Sequence, residues 1–188
     1  MLETKRLTFT SLLISIALIL SKCKISFFIN GGSITLFSML PLITISFVYG
    51  YKWGLFSGSI FGLLHFITTN TTFKGFNLAT ICFSIFLDYI IAFSFIGCAS
   101  FFTIYKINNF NVKLLIAIMI SFFLKFLTHV LSGVLIWNTA LHSIGASLIS
   151  SIVYNLIYNV PEMLITLVGF LLLNKLQPQF TKKLMIKQ

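Results

Sequence analysis

The sequence predicts an all-α membrane protein: a bundle of six transmembrane helices with both chain ends on the inner side. Three observations predict it. Hydrophobic residues make up 58% of the 188 and charged residues only 9%, with a mean hydropathy of +1.04; soluble domains carry roughly a quarter charged residues. The apolar stretches are long and continuous, as spanning helices require, rather than alternating at period two as in a membrane barrel. Most Lys and Arg residues fall between these stretches, biased to one side. Sixteen charged side chains (13 Lys and Arg, 3 Asp and Glu) cannot solvate a globule of this size, which excludes a soluble enzyme and a disordered tail.

Each span follows from an apolar run and the residues that interrupt it. The first covers about 7–28 and ends at Asn30-Gly31-Gly32-Ser33. The second, about 35–49, is short and carries Pro41 in its first turns, where proline is best tolerated. Gly50-Tyr51-Lys52 forms a hinge into the third, about 53–69, which ends in a polar loop at 70–75. The fourth spans about 77–105, the fifth about 113–137 and the sixth about 147–173, before a basic tail. No repeat, long linker or low-complexity stretch divides the chain, so 1–188 reads as one integral membrane domain. Lys5 and Arg6 before an apolar run resemble a signal peptide. With no small-residue cleavage site, and with further spans following, the segment reads as a retained first helix.

With six spans and the N-terminus inside, Lys5, Arg6, Lys52, Lys106, Lys113, Lys175, Lys182, Lys183 and Lys187 lie inside. Only Lys22, Lys24 and Lys74 lie outside, and Lys125 falls within the fifth span. The bias fits an N-in, C-in multi-pass protein of the cell membrane. The net charge of +10 belongs to orientation and anionic headgroups; no nucleic-acid motif accompanies it. Cys23, Cys82 and Cys98 are isolated, with no CxxC spacing, and read as inert thiols.

Gly50, Gly54, Gly58 and Gly62 recur every fourth residue and place a glycine ridge along the third span, where another helix can approach closely. Ser11 and Ser15 share that spacing on the first span, with Ala17 and Ser21 beside them, a small-residue stripe that either packs internally or docks a second protein.

A carboxylate in hydrocarbon costs several kcal/mol unless paired or hydrated. Asp88 sits inside the fourth span, in Phe86-Leu87-Asp88-Tyr89. It either pairs with a lysine such as Lys125 or binds a cation or hydrogen-bond donor. Lys125, His129 and Trp137 are spaced four and eight apart, near one helix face. His129 is therefore either a packed histidine or a ligand contact, while His65 and His142 read as structural or loop residues. In the sixth span Tyr154, Tyr158 and Glu162 share one stripe and Asn155 and Asn159 the next, with Pro161 removing a helix hydrogen bond nearby. That set favours a cavity, with Glu162 structural or gating. Three histidines and one nearby acid do not make a metal site. No GxSxG elbow, HExxH or phosphate-cradling loop occurs, so the chain is not expected to be an enzyme, to hold a cofactor or to bind ATP. A carboxylate among aromatic rings and amides suits a small, flat, cationic or hydrogen-bonding ring.

Gly31-Gly32-Ser33-Ile34-Thr35-Leu36 through Met39-Leu40-Pro41, the Gly54, Gly58 and Gly62 ridge, Leu87-Asp88-Tyr89-Ile90-Ile91-Ala92-Phe93, His129-Val130-Leu131-Ser132-Gly133-Val134 with Trp137, and Tyr154-Asn155-Leu156-Ile157-Tyr158-Asn159 before Pro161-Glu162 occur in order along the chain. This ordered set resembles the thiamine-specific S component of energy-coupling-factor (ECF) vitamin transporters. The resemblance implies six helices that bind thiamine near the outer face, with a membrane T component and two ABC-type ATPases as partners. It implies ligand contacts at Asp88, Tyr89, His129, Trp137, Tyr154 and Asn159, and a T-component contact falling approximately on Ser11, Ser15 and Ala17. The implied roles put Asp88 on the aminopyrimidine donors, Trp137 and His129 beside the rings, and Tyr89, Tyr154 and Asn159 on polar edges and the hydroxyethyl arm. The chain departs from the family in having an aspartate where the acid is often glutamate. Its first outer loop has Phe27 and Phe28 but no tryptophan, and Phe73 and Phe76 are the nearest aromatics before the fourth span. Two alternatives stay open: an S component for another vitamin or a thiamine precursor (riboflavin or hydroxymethylpyrimidine), and a membrane-embedded enzyme. A third is a structural subunit whose polar residues only join helices.

Overall fold

Within hydrocarbon every backbone polar group must find its partner inside the protein, and a helix does this within one segment. The computed structural model describes residues 2–26, 32–69, 76–103, 109–137 and 144–177. Among them are six helices in chain order: α1 (Leu2–Lys22), α2 (Met39–Tyr49), α3 (Tyr51–Thr68), α4 (Leu78–Thr103), α5 (Asn111–Trp137) and α6 (Ile144–Leu176). Between α1 and α2 lies a small antiparallel hairpin, β1 (Lys24–Ser26) with β2 (Ser33–Thr35), Ile25 opposite Ile34.

The side chains are sorted as a bilayer demands. Buried positions include many hydroxyls, among them Ser46, Ser57, Ser121 and Thr166, whereas Leu12, Ile19, Phe56, Phe123, Ile149 and Leu171 face outward. On α1 the inward face is Thr10, Ile14, Ala17 and Ser21, at spacings of three and four. The core is built around α2, whose Leu42, Ile43 and Ile45 are fully enclosed, with Phe61 of α3, Ile96 of α4, Ile118 and Phe122 of α5 and Phe170 of α6.

Among the described residues four helices, α1, α4, α5 and α6, are long and apolar enough to cross a membrane. The shortest of the six helices is α2, as its short apolar run leads one to expect: eleven residues rise about 16 Å, against a ~30 Å hydrocarbon core. The stretch before it, expected to be helical, is β2 and a turn in which Phe37 takes φ +58°. The first helix likewise ends earlier than expected, at Lys22, whose ammonium donates to the Thr68 carbonyl at 2.5 Å and joins the ends of α1 and α3. At the opposite end of that pair, the Arg6 guanidinium lies 3.5 Å over the Trp53 ring and the indole N–H donates to Thr10 Oγ1.

The glycine ridge packs inside the molecule. A Cβ on Gly54 would stand 2.0 Å from the Gly97 carbonyl oxygen, and on Gly58 or Gly62 it would stand 2.3 Å from the carbonyl of Phe93 or Tyr89. The backbones of α3 and α4 therefore touch along three turns. Gly50 is not part of this contact; nothing lies within 4 Å of its Cβ position, and its φ of +88° makes the α2–α3 turn. The loop at 70–75, Phe27, Phe28, Phe73, Lys74, Lys106, His142, Lys182, Lys183 and Lys187 lie outside the described residues.

Candidate binding site

Two helices widen into π-turns, and both do so at the site. In α4 the segment Ile85–Ile91 is a wider π-turn with Asp88 at its centre; in α5 the last turn, Gly133–Trp137, is another. Such insertions change which way side chains point and recur at functional sites. Here they aim Asp88 and Trp137 at one another: the indole Nε1–H donates to Asp88 Oδ2 at 3.1 Å. Ser132 Oγ and Ser84 Oγ donate to the same oxygen at 2.7 and 3.0 Å, and His129 Nδ1 lies 3.2 Å from Oδ1. Asp88, His129 and Trp137 thus form one cluster. Trp137 and His129 reach the carboxylate itself.

Lys125 does not join them, although its spacing puts it near the same face of α5 in a regular helix. It forms a buried ion pair with Glu162 of α6, which also accepts from Thr35 of β2. Thr35 Oγ1 lies 2.5 Å from Ser38 Oγ, so this polar chain ties α5 and α6 to the start of α2. The pairing of Asp88 with Lys125 that the sequence left open is therefore not formed, and Glu162 joins α6 to α5 and β2.

The α6 side of the site is aromatic. Tyr158 meets His129 edge to face at 6.1 Å and Tyr154 at 5.7 Å, and its hydroxyl donates to Asn155 Oδ1. The Tyr154 hydroxyl accepts from the Gly32 N–H at 2.7 Å, which fastens the start of β2 over this end of the bundle. Asn159 is buried; its amide donates to the Phe122 carbonyl at 3.1 Å, while its Oδ1 has no hydrogen-bond partner among the described residues. Tyr89, next to Asp88, packs instead against Phe66 and His65 of α3 at ring distances of 5.2 and 6.1 Å. Phe76 closes on Trp137 edge to face at 5.3 Å. Pro161 is accommodated inside the long α6 helix.

Sequence reasoning missed the roles of Ser84 and Ser132 and the Gly32–Tyr154 bond. Ser84 precedes Asp88 by one turn and Ser132 follows His129 by three, so spacing could have flagged both serines; the Gly32 contact has no local signal. On α1, Ser11 and Ser15 are exposed, but Ala17 is buried. The three do not form one outward stripe, because Ala17 belongs to the face that packs on the core.

The arrangement is a carboxylate near one end of a membrane bundle, ringed by imidazole, indole and phenol groups. It can balance a positive charge and receive hydrogen-bond donors from a flat ligand. Among the described residues no three His, Cys, Asp or Glu could hold a metal.

Comparison with known proteins agrees with this picture. The model of the family described as "Thiamine transporter protein (Thia_YuaJ)" matches residues 7–182. Among solved structures, the chain is similar to ThiT from Listeria monocytogenes, with 21% identity, a TM-score of 0.74 and coverage of 96% of this chain and 99% of that one. It is also similar to the S component of a bacterial ECF transporter, with 19% identity, a TM-score of 0.63 and coverage of 93% and 99%. At these identities the structural likeness speaks for the fold. No curated protein sequence matches.

Proposed function

The chain belongs to the thiamine transporter protein family, multi-pass membrane proteins rather than enzymes, and from that premise we propose that it is the substrate-capture subunit of an ECF transporter. Thiamine joins a thiazolium cation to an aminopyrimidine. In this reading Asp88 receives the aminopyrimidine donors and balances the cation, and Trp137 and His129 flank the rings. Tyr89, Tyr154 and Asn159 read polar edges and the hydroxyethyl arm. The observation that carries the reading is the Asp88 cluster: the carboxylate is held by Ser84, Ser132, Trp137 and His129, and among the described residues no lysine pairs with it. A buried carboxylate is costly in hydrocarbon, and a cationic ligand offsets that cost.

The site opens toward the extracellular face. It lies where α4 begins, α5 ends and α6 begins, opposite the end that carries Leu2 and Leu176. The excess of Lys and Arg at the latter end supports N-in, C-in orientation. Energy comes from partners, a membrane T component and two ABC-type ATPases, since the chain has no phosphate-cradling loop. The T component docks on the outward face of α1 that carries Ser11 and Ser15, and Ala17 is no part of it.

The test is quenching of tryptophan fluorescence by thiamine in purified, detergent-solubilised protein. Of the two tryptophans, Trp137 touches Asp88 and Trp53 lies at the far end with Arg6. Saturable quenching that disappears in Trp137→Phe and survives in Trp53→Phe is the expected result; the reverse overturns the site. Hydroxymethylpyrimidine, which lacks the thiazolium, should compete poorly.

A further inference from the structure

Resting on the reading of Asp88 as the thiamine-binding carboxylate, we propose that Ser84 and Ser132 are positioning residues. They fix the carboxylate through Oδ2 and thereby present Oδ1 to the ligand. A hydroxyl inside a membrane helix commonly returns its proton to the carbonyl one turn back. Thr44, Ser57, Ser121 and Thr166 all do so here, donating to Leu40, Trp53, Ala117 and Glu162. Ser84 and Ser132, both fully buried, give theirs to Asp88 Oδ2 instead, at 3.0 and 2.7 Å. Trp137 supplies a third donor to that oxygen at 3.1 Å. A carboxylate offers about four acceptor directions across its two oxygens. Oδ2 is therefore filled by protein groups, whereas Oδ1 meets, among the described residues, His129 alone at 3.2 Å. An incoming donor finds its acceptor at Oδ1.

The grip also spans two helices. Ser84 holds the carboxylate from its own helix, one turn back, and Ser132 from α5. A short acid on a π-turn is thus held from both sides, and the direction of Oδ1 follows from the two hydroxyls rather than from the aspartate backbone alone. Without them Asp88 would still carry its charge, but its Oδ1 would no longer have a fixed direction.

A double-mutant cycle read by calorimetric titration with thiamine tests this, because it separates action through Asp88 from general loosening of the bundle. Ser132→Ala should weaken binding about tenfold, as for a hydrogen bond to a charged group. Ser84→Ala should weaken it less, and Ser132→Thr, which keeps the hydroxyl, should restore it. In an Asp88→Asn background, Ser132→Ala should change affinity less than about twofold. Wild-type affinity in Ser132→Ala, or the same loss in both backgrounds, overturns the positioning role. If Asp88→Asn itself binds thiamine like the wild type, the underlying reading of the site falls, and the positioning role with it. Should Ser132→Ala not purify folded, Ser132→Cys, nearly isosteric and a weak donor, takes its place in the same cycle.

Discussion

Two carboxylates lie within the bundle and are treated in opposite ways. Glu162 is met by Lys125 and Thr35, and its side chain is only 4% exposed. Asp88 is met by two serines, an indole and a histidine, and its side chain is 14% exposed. A buried charge needs a partner charge or a ligand. Glu162 has its cation inside the chain, so it joins helices. Asp88 has donors but, among the described residues, no lysine, and it remains reachable. In the proposed function, the difference separates an acid that joins helices from one that serves a visiting cation.

The comparison breaks first at the ion pair. Lys125→Met leaves Glu162 buried and unpaired and should cost about 3–5 kcal/mol of stability, seen as a large fall in thermal midpoint in detergent. Adding Glu162→Met should recover most of that loss, because two apolar groups need no solvation; a harmless Lys125→Met would remove the contrast altogether. At the other acid, Asp88→Asn should leave the fold intact and cost about 1.5–3 kcal/mol of thiamine binding, ten- to a hundredfold by titration. Unchanged affinity there would make both acids structural. Tyr154→Phe removes the acceptor for the Gly32 amide and should weaken thiamine binding by about 0.5–1.5 kcal/mol; an affinity equal to the wild type would detach the hairpin from the site. Ser11→Leu with Ser15→Leu should leave thiamine binding unchanged while uptake in cells falls. Normal uptake would move the partner surface off α1.

Much of the site can be read from sequence because its information is local. Asp88 is conspicuous as an acid between apolar runs, and His129 and Trp137 share a helix face by spacing. The glycine ridge is likewise a matter of period, and Gly54, Gly58 and Gly62 do lie against α4. What escapes is non-local or breaks the period. Three-residue strands such as 24–26 are too short to show alternation, so the hairpin merges into its neighbouring helices. A π-turn leaves no compositional trace, yet two of them set the directions of Asp88 and Trp137. Lys125 is legible as an intramembrane charge, but its choice of Glu162 over Asp88 depends on how α5 meets α6. Ala17 passes as a docking residue because small side chains suit inner and outer surfaces equally.

The contact between Gly62 and the Tyr89 carbonyl reaches beyond packing. Asp88 is the residue before Tyr89, so α3 serves as a backstop for the turn that carries the acid. A methyl group at position 62 would strike that carbonyl 2.3 Å away and shove the turn toward α5. If Asp88 receives thiamine as proposed, a change on the helix behind it would then register as weaker thiamine binding.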